Sequence, residues 1–394
     1  MSEWKKVKLG EICERVTSGG TPKANVSSYY NPPTIPWLKT KEVNYCRITE
    51  TENYISEEGL KNSSAKLISP NSVIIAMYGQ GDTAGRVAIN KIPLATNQAC
   101  CNLTIDKSKA DYEFIYYQLC TLYDKLVSLK AGAAQPNLNA RIIKNLEIIM
   151  PSLSIQHRIA NILSRYDSLI ENYQKQIRLL EEAAQRLYKE WFIDLHFPEH
   201  ENTNIIDGVP EGWEKKKFHE IAEVVMGSSP KSEFYNNDKQ GLPFHQGVGS
   251  YGTRFVDDNV YSTSITRLAE PNSILFSVRA PVGRLNITKN KIIIGRGLAA
   301  MNHKDGFQSF LFYMLKDRFF MDNIIGNGSI FASISKVELL DQEFIVPPMK
   351  TIKAFESLAS KLDKKIQSID TQLRLLTEAR DRLLPKLMSG EITV

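Results

Sequence analysis

The chain has 394 residues, 42% hydrophobic and 24% charged, an ordinary composition with length enough for two or three domains that each bury a core. No apolar run approaches the roughly 18 residues of a membrane helix, and Met1-Ser2-Glu3-Trp4-Lys5-Lys6 lacks the apolar stretch of a signal peptide, so the expected location is the cytoplasm. With 49 basic against 44 acidic residues the formal charge is +5, which suits an anionic partner without demanding one.

In chain order, residues 1–153 read as a mixed domain. Short β-branched runs such as Ser72-Val73-Ile74-Ile75-Ala76-Met77, bounded by Pro, Gly and Asn, predict strands, and Tyr112 to Ser128 predicts one helix. All five cysteines (Cys13, Cys46, Cys100, Cys101, Cys120) fall here without CxxC or zinc-finger spacing, and are expected as reduced, mostly buried thiols. Residues 154–195 change to the helical period. Apolar residues recur at Ile155, Ile159, Ile162, Tyr166, Ile170, Tyr173, Ile177, Leu180, Ala184, Leu187 and Trp191, in steps of three and four, with Ser154 as a candidate cap. Residues 196–212, with Asp207-Gly208 and two prolines, read as a flexible linker. Residues 213–348 return to the mixed pattern, with Lys291-Ile292-Ile293-Ile294 as a strand and Phe307 to Met321 as a helix. Residues 349–390 predict a second long helix, apolar at Ile366, Ile369, Leu373, Leu376, Leu383 and Leu387, with Thr351 as its candidate cap. Each long helix runs about 38 residues, or roughly 57 Å at 1.5 Å per residue.

These elements belong to an internal repeat. QIRLLEEAAQRL (176–187) and QLRLLTEARDRL (372–383) lie 196 positions apart and share eight of twelve residues, among them Arg178/Arg374, Leu179/Leu375, Glu182/Glu378, Ala183/Ala379 and Arg186/Arg382. The offset holds without a gap back through Pro151/Pro347 to Gly132/Gly328. Upstream the match loosens but keeps its order: Trp4 with Trp213, Ser18-Gly19-Gly20-Thr21-Pro22 with Gly227-Ser228-Ser229-Pro230, Pro70-Asn71-Ser72 with Pro271-Asn272-Ser273, and Gly85-Arg86 with Gly283-Arg284. Well-matched helices and diverged domains point to one shared task and two different ones. The second helix can bury its stripe only by running back along the first. The chain order therefore predicts an antiparallel pair with the large domains at opposite ends and the termini close together.

A search for catalytic groups finds no GxxxxGK[ST], no HExxH and no GxSxG. Gly79, Gly81 and Gly85 miss the dinucleotide spacing, and Asn31-Pro32-Pro33-Thr34 lacks the aromatic residue that a base-flipping amino-methyltransferase stacks on its target, so it reads as a turn. The six histidines (His157, His196, His200, His219, His245, His303) are scattered, and no acid-base or metal site can be named from them.

The Trp4/Trp213 starts, the turn Thr17-Ser18-Gly19-Gly20-Thr21-Pro22 before Ile35-Pro36-Trp37, Gln135-Pro136-Asn137-Leu138-Asn139, and Met150-Pro151-Ser152-Leu153-Ser154-Ile155-Gln156 leading into a long helix, all within a duplicated unit, resemble the specificity (S) subunit of type I restriction-modification systems. The resemblance covers the whole chain. It implies two α+β target-recognition domains joined by two long antiparallel helices that form a coiled coil, in a pseudo-twofold internal repeat. It implies a non-catalytic DNA-binding subunit: each domain reads one half of a bipartite duplex target, and the coiled coil sets their spacing and docks two modification subunits. S-adenosylmethionine and ATP with magnesium are expected on those partners and on motor-nuclease restriction subunits where present, with no cofactor or metal on this chain and no membrane partner. A stand-alone DNA methyltransferase or nuclease with its own recognition domains would need cofactor or metal motifs; a coiled coil scaffold that does not bind DNA would show no DNA retention. The second half departs from the pattern at Ile330-Phe331-Ala332-Ser333-Ile334-Ser335 and in a turn that reads as shortened at Gly227-Ser228-Ser229-Pro230.

Reading a duplex takes cations for phosphates and planar or amide groups for base edges. In the glycine-rich loops of the first domain the candidates are Lys23, Lys39, Lys41, Tyr78, Gln80, Arg86, Asn97 and Gln98; in the second they are Lys231, His245, Gln246, Arg254, Arg279, Arg284 and Arg296.

Overall fold

A computed structural model describes residues 4–130, 137–319 and 333–394 of the chain. Met1 to Glu3, the Gln135-Pro136 start of the first motif, Ile330-Phe331-Ala332, the Gly132/Gly328 end of the repeat and Met321 lie outside them. The chain divides into two compact units, Met1–Asn172 with Leu373–Val394, and Tyr173–Gln372. Each therefore holds one large domain and a part of both long helices.

In the first unit a five-stranded sheet runs in the order Cys13–Ser18, Cys100–Ile105, Val73–Ala76, Val87–Asn90, Cys46–Ile48. Its central strands are apolar at consecutive positions because both faces are covered. Val73, Ile75, Val87 and Ile89 point toward the helix Tyr112–Thr121 and the long helices. Ile74, Ala76 and Ala88 point to a second cluster with Leu38, Ile68 and Leu94 from a four-stranded sheet. The second unit repeats this plan: Ile274 and Phe276 face Phe310, Leu311 and the long helices, while Leu275 and Ala300 face Ile292 and Ile294. In each unit an antiparallel ribbon ties the start of the domain to its end, Lys5–Lys8 with Glu147–Met150 and Glu214–Lys217 with Glu343–Val346.

The long helices span Leu153–Phe192 and Met349–Ser389, 40 and 41 residues. Ser154 and Thr351 lie inside them, so neither is the cap. The helix expected from Tyr112 to Ser128 breaks at Leu122 into two, and 196–212 is more than a linker, carrying the hairpin Ile205-Ile206/Val209-Pro210 and a buried Phe197. Within the first unit Ile159 and Leu163 share a core with Leu387 and Met388; within the second, Tyr188 and Trp191 share one with Ile352, Phe355 and Ala359. Ascending numbers on one helix meet descending numbers on the other, so the pair is antiparallel. Trp4 and Val394 pack on the same core. Gly390 closes the second helix at φ +76°, a conformation that favours glycine, and a Cβ there would stand a tight 3.2 Å from the Trp4 ring.

One polar cluster interrupts each apolar stripe. Arg47, on the edge strand of the first sheet, donates to Asp167 of the first long helix at 2.9 Å, to Tyr117 Oη at 2.8 Å and to Glu113 at 3.1 Å. The Tyr117 hydroxyl donates to Asp167 at 2.6 Å, and Arg380 from the second long helix donates to the other Asp167 oxygen at 2.9 Å. In the second unit Arg254 donates to Asp363 at 2.6 Å, and the Tyr313 hydroxyl donates to the same oxygen at 2.8 Å. Asp167/Asp363 and Tyr117/Tyr313 are both related by the offset of 196.

Burial alone would raise the Asp167 carboxyl, but hydrogen bonds from Tyr117, Arg380 and Arg47 outweigh it and hold the group below its ordinary value. A depressed carboxylate contributes stability that is present above the unfolded-state value near 3.9 and is lost as pH falls through the lower folded value. Asp167→Asn is therefore expected to cost about 3–5 kcal/mol at neutral pH, the usual effect of breaking a buried pair. Denaturant titrations of both proteins should show that gap shrinking only on acidification below roughly pH 4; a gap independent of pH would rule out the carboxylate as its source.

Candidate nucleic-acid interface

Both domains build the same loop platform from the same backbone hydrogen bonds. In the first, Gly19 N–H donates to Cys100 O, Gly20 N–H to Thr96 O, Asn97 N–H to Leu38 O and Cys100 N–H to Asn97 O. In the second, Gly227 N–H donates to Leu298 O, Ser228 N–H to Ile294 O, Gly295 N–H to His245 O and Leu298 N–H to Gly295 O. The strands beneath pair in parallel in both, Leu38 opposite Thr96 and His245 opposite Ile294. Tyr30 and Tyr235 brace the two turns by donating to Pro22 O at 2.8 Å and to Pro230 O at 2.9 Å. Gly19 and Gly227 are required by close approach: a Cβ would fall 2.2 Å from Asn97 O and 2.1 Å from Gly295 O. The second turn is thus not shortened; Gly227-Ser228-Ser229-Pro230 holds the same hydrogen-bond register as Gly19-Gly20-Thr21-Pro22.

This register pairs Lys23 with Lys231, Lys39 with Gln246, Asn97 with Gly295 and Gln98 with Arg296. In the first domain Lys23 and Gln98 are exposed, the Thr21 hydroxyl donates to Gln98 Oε1, Asn97 Oδ1 receives the Cys100 thiol at 3.3 Å, and Lys39 donates to Asn53 at 2.9 Å while lying 5.0 Å over the Trp37 ring. In the second, Lys231, Gln246 and Arg296 line a cleft of about 730 Å³ together with Ser229, Glu233 and Tyr235. Ser229 Oγ receives the Arg296 backbone N–H at 3.2 Å and donates to Gln246 Oε1 at 2.7 Å.

A second loop follows the strand Val73–Ala76 in the first domain and the strand Ile274–Ser277 in the second. In the first domain it carries Tyr78, Gln80 and Arg86; Arg86 donates to Asn44 at 3.0 Å and to Asp82, whose carbonyl receives the Tyr123 hydroxyl at 2.8 Å. In the second it carries exposed Arg279, bridged through its backbone to Ser333, and half-buried Arg284, whose N–H donates to Ser277 Oγ at 2.8 Å. Leu138 and Ile334 each donate a backbone bond to the loop base, at Met77 O and Val278 O, so the diverged second motif keeps the contact of the first. Lys41 lies apart on the surface, paired with Glu52.

Two expected contacts are corrected. His245 has no exposed surface and is held between Ser250 Oγ at 2.8 Å and Asp258 at 2.9 Å; Arg254 is 3% exposed, pointing into the core onto Asp363 and over the Phe312 ring. Both are glycine-neighboured polar residues in the sequence, which does not separate a loop that faces solvent from one that folds inward. Burial would raise the Asp258 carboxyl, but hydrogen bonds from His245 and Asn290 lower it. Sequence reasoning also missed Thr21 and Ser229, which orient the amides beside them; their only signal is their place after the paired glycine turn.

Asn31 to Thr34 is an exposed irregular segment leading into the strand Ile35–Leu38, consistent with a turn. All five cysteines are unpaired, and burial pushes Cys13, Cys101 and Cys120 up to about 12, far from thiolate chemistry at neutral pH. Among the described residues no three His, Cys, Asp or Glu side chains gather at metal-ligand distances, and no helix is long and apolar enough to cross a membrane.

Comparison with known proteins follows the same repeat. The family model described as the type I restriction modification DNA specificity domain matches residues 1–182 and again 210–378. The type I restriction enzyme MjaIX specificity subunit of Methanocaldococcus jannaschii is 30% identical over 415 aligned positions, covering 100% of this chain and 94% of the relative. The HindI specificity subunit of Haemophilus influenzae is 20% identical with both chains covered in full. The crystal structure of a type I restriction-modification S subunit from M. genitalium shares the fold with a TM-score of 0.64 at 18% identity, over 98% of this chain and 96% of that one.

The two kinds of arginine and lysine separate experimentally. Lys231→Ala should leave thermal unfolding unchanged and reduce the salt dependence of duplex DNA retention by about one unit of slope, the effect of one lost phosphate contact. Arg254→Ala should instead cost about 3–5 kcal/mol of stability by stranding Asp363. Equal unfolding temperatures for the Arg254 variant and the wild type would refute its buried role.

Proposed function

We propose that this chain, which belongs to the type I restriction-modification DNA specificity family, reads a split duplex target with one domain per half and carries two modification subunits in place of catalytic groups of its own. The observation that carries the reading is the shared platform: one backbone frame, built twice, beneath different side chains. A duplicated fold whose frame is kept while its exposed polar groups change is what two separate readings of base edges need.

The long helices support the other parts of the role. At 1.5 Å per residue, 40 and 41 residues give about 60 Å of helix, and in this reading the paired helices set the spacing of the two half-sites. The best-matched segment of the repeat leaves Arg178, Leu179, Ala183 and Arg186 exposed on the first helix and Arg374, Leu375, Ala379 and Arg382 exposed on the second. These positions fall on one helical face in each copy, and Leu179 and Leu375 are 49% and 52% exposed. Core packing does not explain identity at exposed positions. Two equal docking faces for two copies of one partner do. S-adenosylmethionine and ATP with magnesium belong on the partner subunits in this reading, and the chain itself holds neither.

Exchanging residues 1–153 for the equivalent domain of a relative, in cells that also express the modification subunit, tests the two-reader model. Base-resolved methylation mapping should show one half of the modified motif replaced and the other retained; a change in both halves would sink it. For docking, native mass spectrometry of Leu179→Glu or Leu375→Glu complexes should show one modification subunit in place of two, and the double variant none. Full occupancy of the double variant would place the docking face elsewhere.

A further inference from the structure

The equivalent platforms carry the reading one step further. Positions 39, 97 and 98 of the first domain and 246, 295 and 296 of the second sit on matched backbone hydrogen bonds, yet no pair keeps its residue type: Lys39 against Gln246, Asn97 against Gly295, Gln98 against Arg296. The turns beside them do keep theirs in chemical kind, Thr21 against Ser229, Pro22 against Pro230 and Lys23 against Lys231. Frame positions such as Leu38/His245 and Thr96/Ile294 differ as well, but they are buried, whereas Gln98 and Arg296 are exposed, where a change of side chain can change specificity.

The hydrogen bonds give the polarity of the second platform. Ser229 Oγ accepts the Arg296 backbone N–H, so its own hydrogen goes to Gln246 Oε1 at 2.7 Å. The Gln246 amide oxygen is thereby engaged, and the donors of this exposed side chain are those of its NH₂ group. The Arg296 guanidinium has donors and no acceptor. Glu233 lines the same cleft, 3.8 Å from Lys231 and thus offset by a cation. Gly295 belongs to this arrangement: a Cβ there would come within 2.7 Å of Gln246 Oε1, so the glycine opens the room in which the amide lies. In the first platform Gln98 occupies the place of Arg296, and its Oε1 receives the Thr21 hydroxyl.

We infer that residues 98 and 296 are the equivalent specificity-determining positions of the two domains, and that Arg296, flanked by the Gln246 amide donors, selects a guanine through its N7 and O6 in the second half of the target. The inference rests on the two-reader function proposed above. Arginine forks onto guanine as a bidentate donor, whereas glutamine at the same place cannot supply two parallel N–H groups to two acceptors.

The test uses the chain assembled with its modification subunit and selects bound duplexes from a library randomised across both half-sites. Recovery of a split motif by the wild-type complex establishes the two-reader function separately, and its absence would overturn that reading before this one is reached. Given a split motif, the wild-type second half should contain a guanine that Arg296→Gln and Arg296→Lys both prefer roughly 10-fold to 100-fold less, with the first half unchanged. Lysine keeps the charge and loses the fork, so a wild-type motif from Arg296→Lys would reduce Arg296 to a phosphate contact and overturn the assignment. Gln98→Arg should introduce a guanine preference at one position of the first half-site and leave the second as it was. Unmoved preferences in that variant, changes in the opposite half, or a second half-site without guanine would each overturn the inference. Both positions are exposed, and thermal unfolding of each variant is expected to match the wild type.

Discussion

Each large domain is fixed to a long helix by a buried arginine that donates directly to an aspartate whose same oxygen also receives a tyrosine hydroxyl. Burying a guanidinium and a carboxylate costs several kcal/mol per ion, and the attraction between them offsets that only when the geometry is good and the remaining hydrogen-bonding groups are satisfied. Arg47 reaches Asp167, Tyr117 and Glu113 together, and Arg380 from the other helix completes Asp167. An apolar contact at this place would tolerate sliding and rotation. Directional bonds from three elements to one carboxylate do not, so the position of the loop platform relative to the helix within its unit follows from this cluster.

The second unit reaches the same arrangement from a different backbone position. Arg47 stands directly opposite Ile89 in its parallel pairing, but in the second domain Phe255, not Arg254, stands opposite Ile287. The aspartate and tyrosine have kept their spacing while the arginine has shifted by one residue. What persists is the charge at that point in space, as expected where removal of one partner would strand the others without solvent.

Beyond the anchor, the work is divided between backbone and side chain. Glycines at 19 and 227 let two loops approach until their backbone amides bond across, and the Tyr30 and Tyr235 hydroxyls brace the turns. The same backbone bonds form in both domains beneath different side chains at 39/246, 97/295 and 98/296, so the frame does not depend on residue type at those positions. The helices show the reverse: exposed residues of the repeated segment, Arg178/Arg374, Leu179/Leu375, Ala183/Ala379 and Arg186/Arg382, stay the same.

The 196-residue offset, the two long helices with their antiparallel sense, the strands through Val73–Ala76 and Ile292–Ile294, and the closeness of Trp4 to the far end of the chain are legible from the sequence alone, because periodicity and chain order are one-dimensional properties. So is the general chemistry of the loops, where Lys23, Lys231, Gln246 and Arg296 stand near turn glycines and Gln98 follows Asn97. Burial is not. Arg254 and Arg296 look alike in sequence, but one enters the core and the other a cleft, since the direction of a side chain depends on which strand its loop joins and what packs above it. Asp167 likewise lies on the apolar stripe of its helix, between Leu163 and Ile170, where pattern alone suggests a defect. Only the tertiary structure brings Arg47, 120 positions earlier in the chain, to that carboxylate. Hydrogen bonds and ion pairs of this kind form between residues far apart in sequence, and their strength depends on distance, angle and exclusion of water, none of which a linear pattern encodes.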